Sequence, residues 1–177
     1  GLRVDAAGLA PVGIGVGVPA IVDAASGTIG DEAHNVPELA GLPLARALAE
    51  RFGMPAFVDN DVNALALAEW RFGAGRGARS LVVLAAGTGF GSGIVIDGRL
   101  VRGAHGFAAE LGHVPVKFDG RPCWCGGRGC LALYASGRGL EEAARAAAMA
   151  SGGRALLAAA GGDASRIDAL LVFRLAA

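Results

Sequence analysis

Three cysteines crowded into eight residues constrain this chain more than any other feature of its sequence. They stand at positions 123, 125 and 130, in the stretch Cys-Trp-Cys-Gly-Gly-Arg-Gly-Cys. An odd number of cysteines and a one-residue gap fit a disulfide scheme poorly. Thiolates on glycine-rich turns can instead converge on one zinc ion, which prefers four tetrahedral sulfur or nitrogen ligands. The motif therefore predicts that Cys123, Cys125 and Cys130 fold around a metal ion.

A fourth ligand for this zinc ion is available at His113, ten residues before Cys123. Four protein ligands would fill the coordination sphere, so the predicted site is structural and has no open position for an activating water. Three unligated thiols are the alternative interpretation. The remaining histidines, His34 and His105, lack such neighbours and are interpreted as loop residues.

The balance of charge and hydropathy excludes several classes of protein. Sixteen Lys and Arg residues match sixteen Asp and Glu residues, so no global basic field exists to recruit a nucleic acid. Apolar residues make up 53% of the chain, too many for an ordinary disordered segment. No apolar run reaches the ~20 residues that a membrane span needs, and no secretory leader is evident. We therefore expect a cytoplasmic protein.

Strand and helix patterns alternate along the chain. Asp97-Gly98 is typical of a tight hairpin turn. Strands alternating with helices and hairpins indicate an α/β fold with a mixed sheet. The predicted strands cover residues 12–18, 56–58 (as a buried strand), 81–84 and 93–96. The first predicted helix covers 43–52, and the second follows Asp61 with Leu65, Ala68 and Phe72 on one face. Alanine-rich helices are predicted from Leu131 onwards, with interruptions at Gly152-Gly153 and Gly161-Gly162.

A carboxylate stands where the strand at 56–58 runs into the second helix. Asp61 would begin this helix, whose N-terminus favours an ionised carboxylate. Such a group can accept the proton of an attacking hydroxyl. The alternative is that Asp59, Asn60 and Asp61 only cap the helix, and the local pattern alone favours that simpler interpretation.

A second carboxylate, Glu110, stands three residues before His113 in Glu-Leu-Gly-His. If this segment is helical, both side chains lie on the same face. Because a zinc ligand is held rigidly, Glu110 would be held as well. A fixed carboxylate is suited to hydrogen bonding with a polyol.

A glycine-rich turn connects the strands predicted at 81–84 and 93–96. In Ala86-Gly87-Thr88-Gly89, the backbone N–H groups and the Thr88 hydroxyl can cradle a phosphate. No Gly-Lys-Ser/Thr follows, so this is not a Walker motif, and no dinucleotide-binding fingerprint opens a helix here. A glycine hairpin without a ligand is an equally good interpretation of these four residues.

In combination, these motifs resemble the ROK family (repressors, open reading frames and sugar kinases). The resemblance covers about residues 12–140, and its most specific part is Glu-x-Gly-His followed by Cys-x-Cys-Gly-x-x-Gly-Cys. The motifs follow one another in the family's order at residues 58–64, 87–93, 98–100, 110–113 and 123–130.

The resemblance implies an actin-like (ribonuclease-H-like) α/β fold of two lobes with the active site between them. Residues 1–76 would belong to the N-terminal lobe and residues 77–177 to the C-terminal lobe. The family's kinases transfer the terminal phosphoryl group of ATP, bound with Mg²⁺, to a hexose hydroxyl. A hexose and ATP would thus be the partners, with no nucleic acid or membrane through this segment, and homodimers are common in the family.

Roles for individual residues follow from the same resemblance. Asp61 resembles the catalytic base, and Asn60 would bind neighbouring sugar hydroxyls. Glu110 and His113 would bind the sugar too, with the second ring nitrogen of His113 on zinc. The turn Gly87-Thr88-Gly89 matches the second phosphate-binding turn, and the three cysteines match the zinc ligands.

The sequence departs from the family pattern at several points. Ala132 stands where the kinases carry a sugar-binding glutamate, and Ala20 replaces the glycine common after Gly-x-Pro. The first phosphate-binding turn is expected upstream of Gly1 and the adenosine-contacting segment downstream of Ala177. We therefore expect a piece of a larger fold, cut at both ends, that does not bind ATP by itself.

These observations favour a glucokinase-like hexose kinase of carbohydrate metabolism. The alternative is the sugar-sensing domain of a ROK repressor, whose DNA-binding module would precede this segment. Asp61 together with Gly87-Thr88-Gly89 favours the kinase, whereas Ala132 counts slightly against it. A structural zinc module that binds no small molecule explains the cysteines but gives Asp61 and Glu110 no function.

Overall fold

The computed structural model describes residues 10–31, 33–150 and 153–176 and shows a mixed α/β chain that divides into two compact units. Among the described residues, the first unit takes the chain as far as Val83 together with Gly93–Ala109. The second unit takes Leu84–Ser92 and the chain from Glu110 onwards. The predicted division of lobes at residues 76 and 77 refers to the whole two-lobed fold and stays a prediction.

Two parallel strands form the centre of the first unit. Strand β1 (Ile14–Val18) pairs with β4 (Ala56–Asn60), so that Gly17 lies opposite Asp59 and Val18 opposite Asn60. The short strands β2 (Val22–Asp23) and β3 (Thr28–Ile29) pair with each other in antiparallel fashion. The buried core of this unit comprises Val18, Ala20, Val22, Ile29, Ala33, Ala45 and Val58.

The first helix, α1 (Leu44–Phe52), has the ends that the sequence predicts. Pro43 precedes its first residue, and Gly53 closes it with a φ of +66° and an N–H that donates to the Ala49 carbonyl. Glycine adopts this left-handed conformation without the steric cost that other residues meet.

The prediction of a buried strand at 56–58 is wrong for Phe57, whose side chain is 71% exposed while Val58 is buried. Successive side chains of a strand point to opposite faces, and within the described residues only the Val58 face meets the core. The predicted apolar face of α2 (Asp61–Arg71) differs as well. Its buried residues are Asn63 and Ala66, whereas Leu65 and the helix-ending Phe72 are exposed.

A three-stranded sheet follows, in the order β5 (Leu81–Ala86), β6 (Phe90–Ile96) and β7 (Arg99–Leu100). Asp97 and Gly98 connect β6 to β7 with φ angles of +48° and +76°. Two successive positive φ angles are the requirement of the tight hairpin turn that Asp-Gly predicts, and this prediction is confirmed.

The second unit ends in the alanine-rich helices predicted from Leu131. Gly161 and Gly162 interrupt them with φ angles of +69° and +83°, as predicted, whereas Gly152 lies outside the described residues. The core of these helices comprises Ala144, Ala148, Ala160 and Ile167. None of the helices in the described ranges has the length and apolar character that a membrane crossing requires. The helices are α3 (Ala132–Ala135), α4 (Gly137–Met149), α5 (Arg154–Ala159) and α6 (Ala169–Ala176).

Candidate active site and metal centre

Asn60 caps the N-terminus of α2 in the first unit. Its side-chain oxygen accepts hydrogen bonds from the N–H groups of Val62 (2.9 Å) and Asn63 (3.1 Å). Its amide nitrogen donates to the Ala20 carbonyl at 3.3 Å. The carboxamide oxygen thus makes its hydrogen bonds to the backbone of α2. One amide hydrogen remains that can be donated to a ligand.

Asp61 is the first residue of α2, and its side chain is exposed. One carboxylate oxygen accepts the N–H of Val62 at 2.9 Å, and the helix N-terminus favours negative charge at this position. The backbone of Asp61 packs against β1, where a Cβ atom on Gly17 would lie 3.0 Å from the Asp61 Cα. An exposed carboxylate with one hydrogen-bonded oxygen can accept a proton on the other.

An ion pair that the sequence analysis missed lies beside these residues. Asp59 pairs with Arg102, and the same carboxylate accepts the N–H of Asn60 at 2.8 Å. The two side chains come from positions 43 residues apart in the chain. No local pattern of spacing predicts such a contact.

The cysteine cluster forms in the second unit, as the sequence predicts. The ligand atoms of His113, Cys123, Cys125 and Cys130 all lie within 4.8 Å of one another. Cys123 Sγ lies 3.5 Å from His113 Nδ1, and Cys125 Sγ lies 3.7 Å from Cys130 Sγ. Ligands arranged tetrahedrally at Zn–S about 2.3 Å and Zn–N about 2.0 Å are separated by about 3.5–3.8 Å. These four residues can therefore hold a metal ion, and the His113–Cys123 and Cys125–Cys130 separations match those expected around zinc.

Glycines allow the cysteine loop (residues 123–130) to fold tightly enough for its three cysteines to approach one another. Gly129 has a φ of +66°, and a Cβ there would fall 1.6 Å from the Lys117 carbonyl oxygen. The Cys123 N–H donates to the Gly127 carbonyl at 2.9 Å, and the Gly126 N–H donates to the Cys123 carbonyl at 3.1 Å. Backbone contacts of this kind hold the loop in the conformation that brings Cys123 and Cys130 together.

Arg121 anchors the cysteine loop to the helices that follow it. Its guanidinium pairs with Glu142 at 2.7 Å and hydrogen bonds to the carbonyl of Leu133. The guanidinium carbon also lies 5.0 Å from the centre of the Tyr134 ring, in reach of a cation–π interaction.

The cysteines differ in acidity. Burial, together with the neighbouring Cys123 and Cys125, raises the pKa of Cys130 to about 12. The exposed Cys125 has a lowered pKa, chiefly because the Gly127 N–H donates to its sulfur. Since metals bind thiolates, metal binding here must displace protons.

Glu110 precedes a single 3₁₀ turn, Leu111–His113, which ends at His113 and is not an α-helix. The expectation that Glu110 and His113 share a face depends on a helix that covers both residues, but Glu110 precedes the turn with a φ of −75° and a ψ of 52°. The shared face therefore stays a prediction. Gly112 is buried against β6, where a Cβ would fall 2.1 Å from the Phe90 carbonyl oxygen. The Leu111 N–H also donates to the Ser92 hydroxyl at 3.3 Å.

Trp124 contacts the imidazole of His113, which the sequence analysis did not anticipate. The two rings meet edge to face, with centroids 4.4 Å apart and an angle of 85° between their planes. With Nδ1 beside Cys123 and the ring packed against Trp124, the orientation of His113 is fixed. His34 and His105 lie in turns, as predicted.

The turn Gly87-Thr88-Gly89 connects β5 to β6. The Gly87 N–H donates to the Gly89 carbonyl at 3.0 Å within the turn. The first residues of α4 hold its outer side, because Gly137 and Arg138 donate their N–H groups to the carbonyls of Gly87 (2.8 Å) and Thr88 (3.3 Å). The N–H groups of Thr88 and Gly89 and the Thr88 hydroxyl are the donors that this turn can offer to an anion.

Ala132 lies next to the Glu-Leu-Gly-His segment. A Cβ built on Gly112 would be 3.5 Å from the Ala132 Cβ. A longer side chain at position 132 would begin beside Glu110 and His113.

The predicted site residues thus fall into two groups. Asn60 and Asp61 belong to the first unit. The phosphate-binding turn, Glu110, His113 and the cysteines belong to the second.

The model of the ROK family matches residues 4–176. The chain is 45% identical over 121 residues to a glucokinase from Streptomyces coelicolor, with 68% of this chain and 38% of the relative covered. It is 42% identical over 131 residues to a xylose repressor from Caldicellulosiruptor bescii, with 73% and 32% covered. The chain thus spans about a third of the length of these curated relatives.

Among solved structures, a ROK family glucokinase from Streptomyces griseus in complex with glucose and AMPPNP is similar with a TM-score of 0.81 and 38% identity. The match covers 96% of this chain and 54% of that one. The predicted actin-like α/β fold class is confirmed by this match.

Proposed function

Because the chain belongs to the ROK family, we propose that it is part of a sugar kinase that transfers the terminal phosphoryl group of ATP to a hydroxyl of glucose. The observation that carries this proposal is Asp61, an exposed carboxylate at the first position of α2, directly after a parallel strand. The similarity to glucokinases supports glucose as the sugar. A complete active site requires the rest of the protein.

In the proposed reaction, Asp61 accepts the proton of the sugar hydroxyl as that oxygen attacks the phosphorus atom. Asn60 donates its remaining amide hydrogen to a neighbouring hydroxyl. Phosphoryl transfer needs mainly positioning and stabilisation of charge. The N–H groups of Thr88 and Gly89, with the Thr88 hydroxyl, supply donors for phosphate oxygens of Mg²⁺-ATP.

Glu110 and His113 bind further hydroxyls of the sugar in this proposal. The 3₁₀ turn and the buried Gly112 hold both residues on one short segment. His113 Nδ1 faces Cys123, which leaves Nε2 to contact the sugar. A zinc ion held by His113, Cys123, Cys125 and Cys130 would fix the ring and take no part in the chemistry. We place the reaction in the cytoplasm, where thiols stay reduced.

The sugar-sensing domain of a repressor is a second candidate, favoured by the similarity to the xylose repressor. Such a domain would use the sugar-binding residues without transferring a phosphoryl group. The retention of both Asp61 and the Gly87-Thr88-Gly89 turn favours the kinase.

The test is to express the whole protein that carries this chain and to supply Mg²⁺-ATP with glucose, mannose, fructose or an N-acetylated hexosamine. The proposal expects stoichiometric ADP and hexose phosphate, with glucose the best substrate. If no hexose is phosphorylated and the protein instead releases a specific DNA duplex on adding sugar, the repressor is the correct assignment.

A further inference from the structure

The ion pair between Asp59 and Arg102 has no role in the proposed chemistry, yet it lies one residue from Asn60 and two from Asp61. We propose that Asp59 and Arg102 are positioning residues that set the location of the Asp61 carboxylate through the first turn of α2. This inference rests on the proposed function for its kinetic readout.

One oxygen of Asp59 connects the end of β4 with the beginning of α2. Asp59 Oδ1 accepts the backbone N–H of Asn60 at 2.8 Å and the side-chain Nδ2 of Asn63 at 3.3 Å. Asn63 is itself buried in the first unit. Asp61 lies between these two contacts in the chain, so a rotation of the Asp59 side chain releases the Asn60 backbone on one side of it and the Asn63 side chain on the other.

The other oxygen of Asp59 faces Arg102. Nε of Arg102 donates to Asp59 Oδ2 at 3.2 Å, and a terminal nitrogen of the guanidinium donates to the same oxygen. The Asp59 side chain is 16% exposed and that of Arg102 37%. A carboxylate shielded from water to this degree needs its counter-charge, and the guanidinium fixes its direction.

A backbone hydrogen bond fixes the position of Arg102. Its carbonyl accepts the N–H of Ala108 at 3.0 Å and so closes the loop 102–108. Gly103 and Gly106 in this loop have φ angles of +72° and +80°, a left-handed conformation that favours glycine. The guanidinium therefore extends from the base of a closed loop, which makes it a fixed anchor for Asp59.

Loss of the ion pair is expected to affect catalysis more than folding. Asn60 still caps α2 when Asp59 is changed, through its bonds to the N–H groups of Val62 and Asn63. The helix therefore remains, while its first residue gains freedom. A misplacement of a catalytic group by about 1 Å can lower a rate by about a hundredfold.

The experiment compares Asp59→Asn, Arg102→Gln, Arg102→Lys and the double variant Asp59→Asn/Arg102→Gln in the whole protein. Each neutral single variant is expected to lower kcat by about tenfold to a hundredfold, with a smaller change in KM for glucose. Arg102→Lys recovers part of the loss, because it keeps the charge but not the two-pronged contact. The double variant is expected to be no worse than the poorer single variant.

Arg79→Gln is the matched control. Arg79 and Asp97 also form an ion pair in the first unit, but their side chains are 84% and 61% exposed, so kcat is expected to stay unchanged. The proposal is overturned if Asp59→Asn and Arg102→Gln keep kcat within about twofold of wild type, if their losses multiply in the double variant, or if Arg79→Gln loses as much.

Amide hydrogen exchange supplies a readout that needs no activity. In Arg102→Gln, the amide of Asn60, which donates to the Asp59 carboxylate, is expected to exchange faster, while the amides within α1 keep their rates. Unchanged exchange at Asn60 overturns the positioning role. A wild-type protein that phosphorylates no hexose contradicts the proposed function. The amide exchange rates test the positioning role of Asp59 and Arg102 even in that case, because they do not depend on activity.

Discussion

Gly17 in β1 lies so close to Asp61 that a Cβ atom on Gly17 would be 3.0 Å from the Asp61 Cα and 3.4 Å from its Cβ. The start of α2 therefore packs directly on the backbone of the neighbouring strand. Glycine alternates with apolar residues in β1, and at position 17 its lack of a side chain allows the proposed catalytic carboxylate to lie this close to the sheet.

The Gly17→Ala substitution is expected to displace Asp61 by a few tenths of an ångström and to lower kcat by about tenfold. Stability should fall by only about 1 kcal/mol, since the cost is local crowding. Steady-state kinetics and thermal unfolding of the whole protein measure the two effects. Gly15→Ala is the control in the same strand, because a Cβ on Gly15 meets no atom within 4 Å. Equal kinetics for the two variants would refute the role of Gly17.

Gly112→Ala is expected to disturb sugar binding. The added Cβ would fall 2.1 Å from the Phe90 carbonyl oxygen, so the segment carrying Glu110 and His113 must move away from β6. We expect KM for glucose to rise by about tenfold or more, because hydrogen bonds to the sugar are lost. Isothermal titration with glucose checks this directly. Unaltered affinity would mean that this turn does not bind the sugar.

Ala132→Glu is expected to lower KM for glucose. The Ala132 Cβ is near Gly112, so a glutamate there would place a carboxylate beside the Glu-Leu-Gly-His segment. One further charge-assisted hydrogen bond is worth about 1.5–3 kcal/mol, and even part of it lowers KM severalfold. The exposed Ala135 in the same helix gives the control Ala135→Glu, for which no change is expected. A KM that rises in Ala132→Glu would contradict a sugar-binding position at residue 132.

Metal analysis should find about one zinc ion per chain, held by His113 and the three cysteines. Cys130→Ser is expected to lose the zinc and to lower the midpoint of thermal unfolding, since metal binding contributes to the folding of such loops. Elemental analysis of metal-replete protein measures the content. A value near zero would leave three free thiols as the correct interpretation of the motif.

Local signals in the sequence predicted much of the fold. Pro43 and Gly53 mark the two ends of α1, and Asp97-Gly98 marks the hairpin, because each depends on backbone preferences of the residues themselves. The ligand cluster from His113 to Cys130 was predictable for a similar reason, since only a few residue types bind zinc and they stand close together in the chain.

Contacts between distant segments could not be predicted in this way. The pairing of Asp59 with Arg102 joins positions 43 residues apart, and nothing in either neighbourhood specifies it. The exposure of Phe57 depends on what covers each face of β4, which the strand pattern alone does not contain. The need for glycine at Gly17 likewise arises from the approach of another element.

The most direct test of the proposed kinase is the Asp61→Ala variant of the whole protein, assayed for ATP-dependent phosphorylation of glucose beside the wild type. Asp61 is exposed at the start of α2 and lies outside the metal cluster, so zinc content and thermal stability should stay near those of the wild type. We expect an active wild type and no detectable glucose phosphate from the variant. Turnover of ATP with glucose at an undiminished rate in Asp61→Ala would show that Asp61 is not the catalytic base.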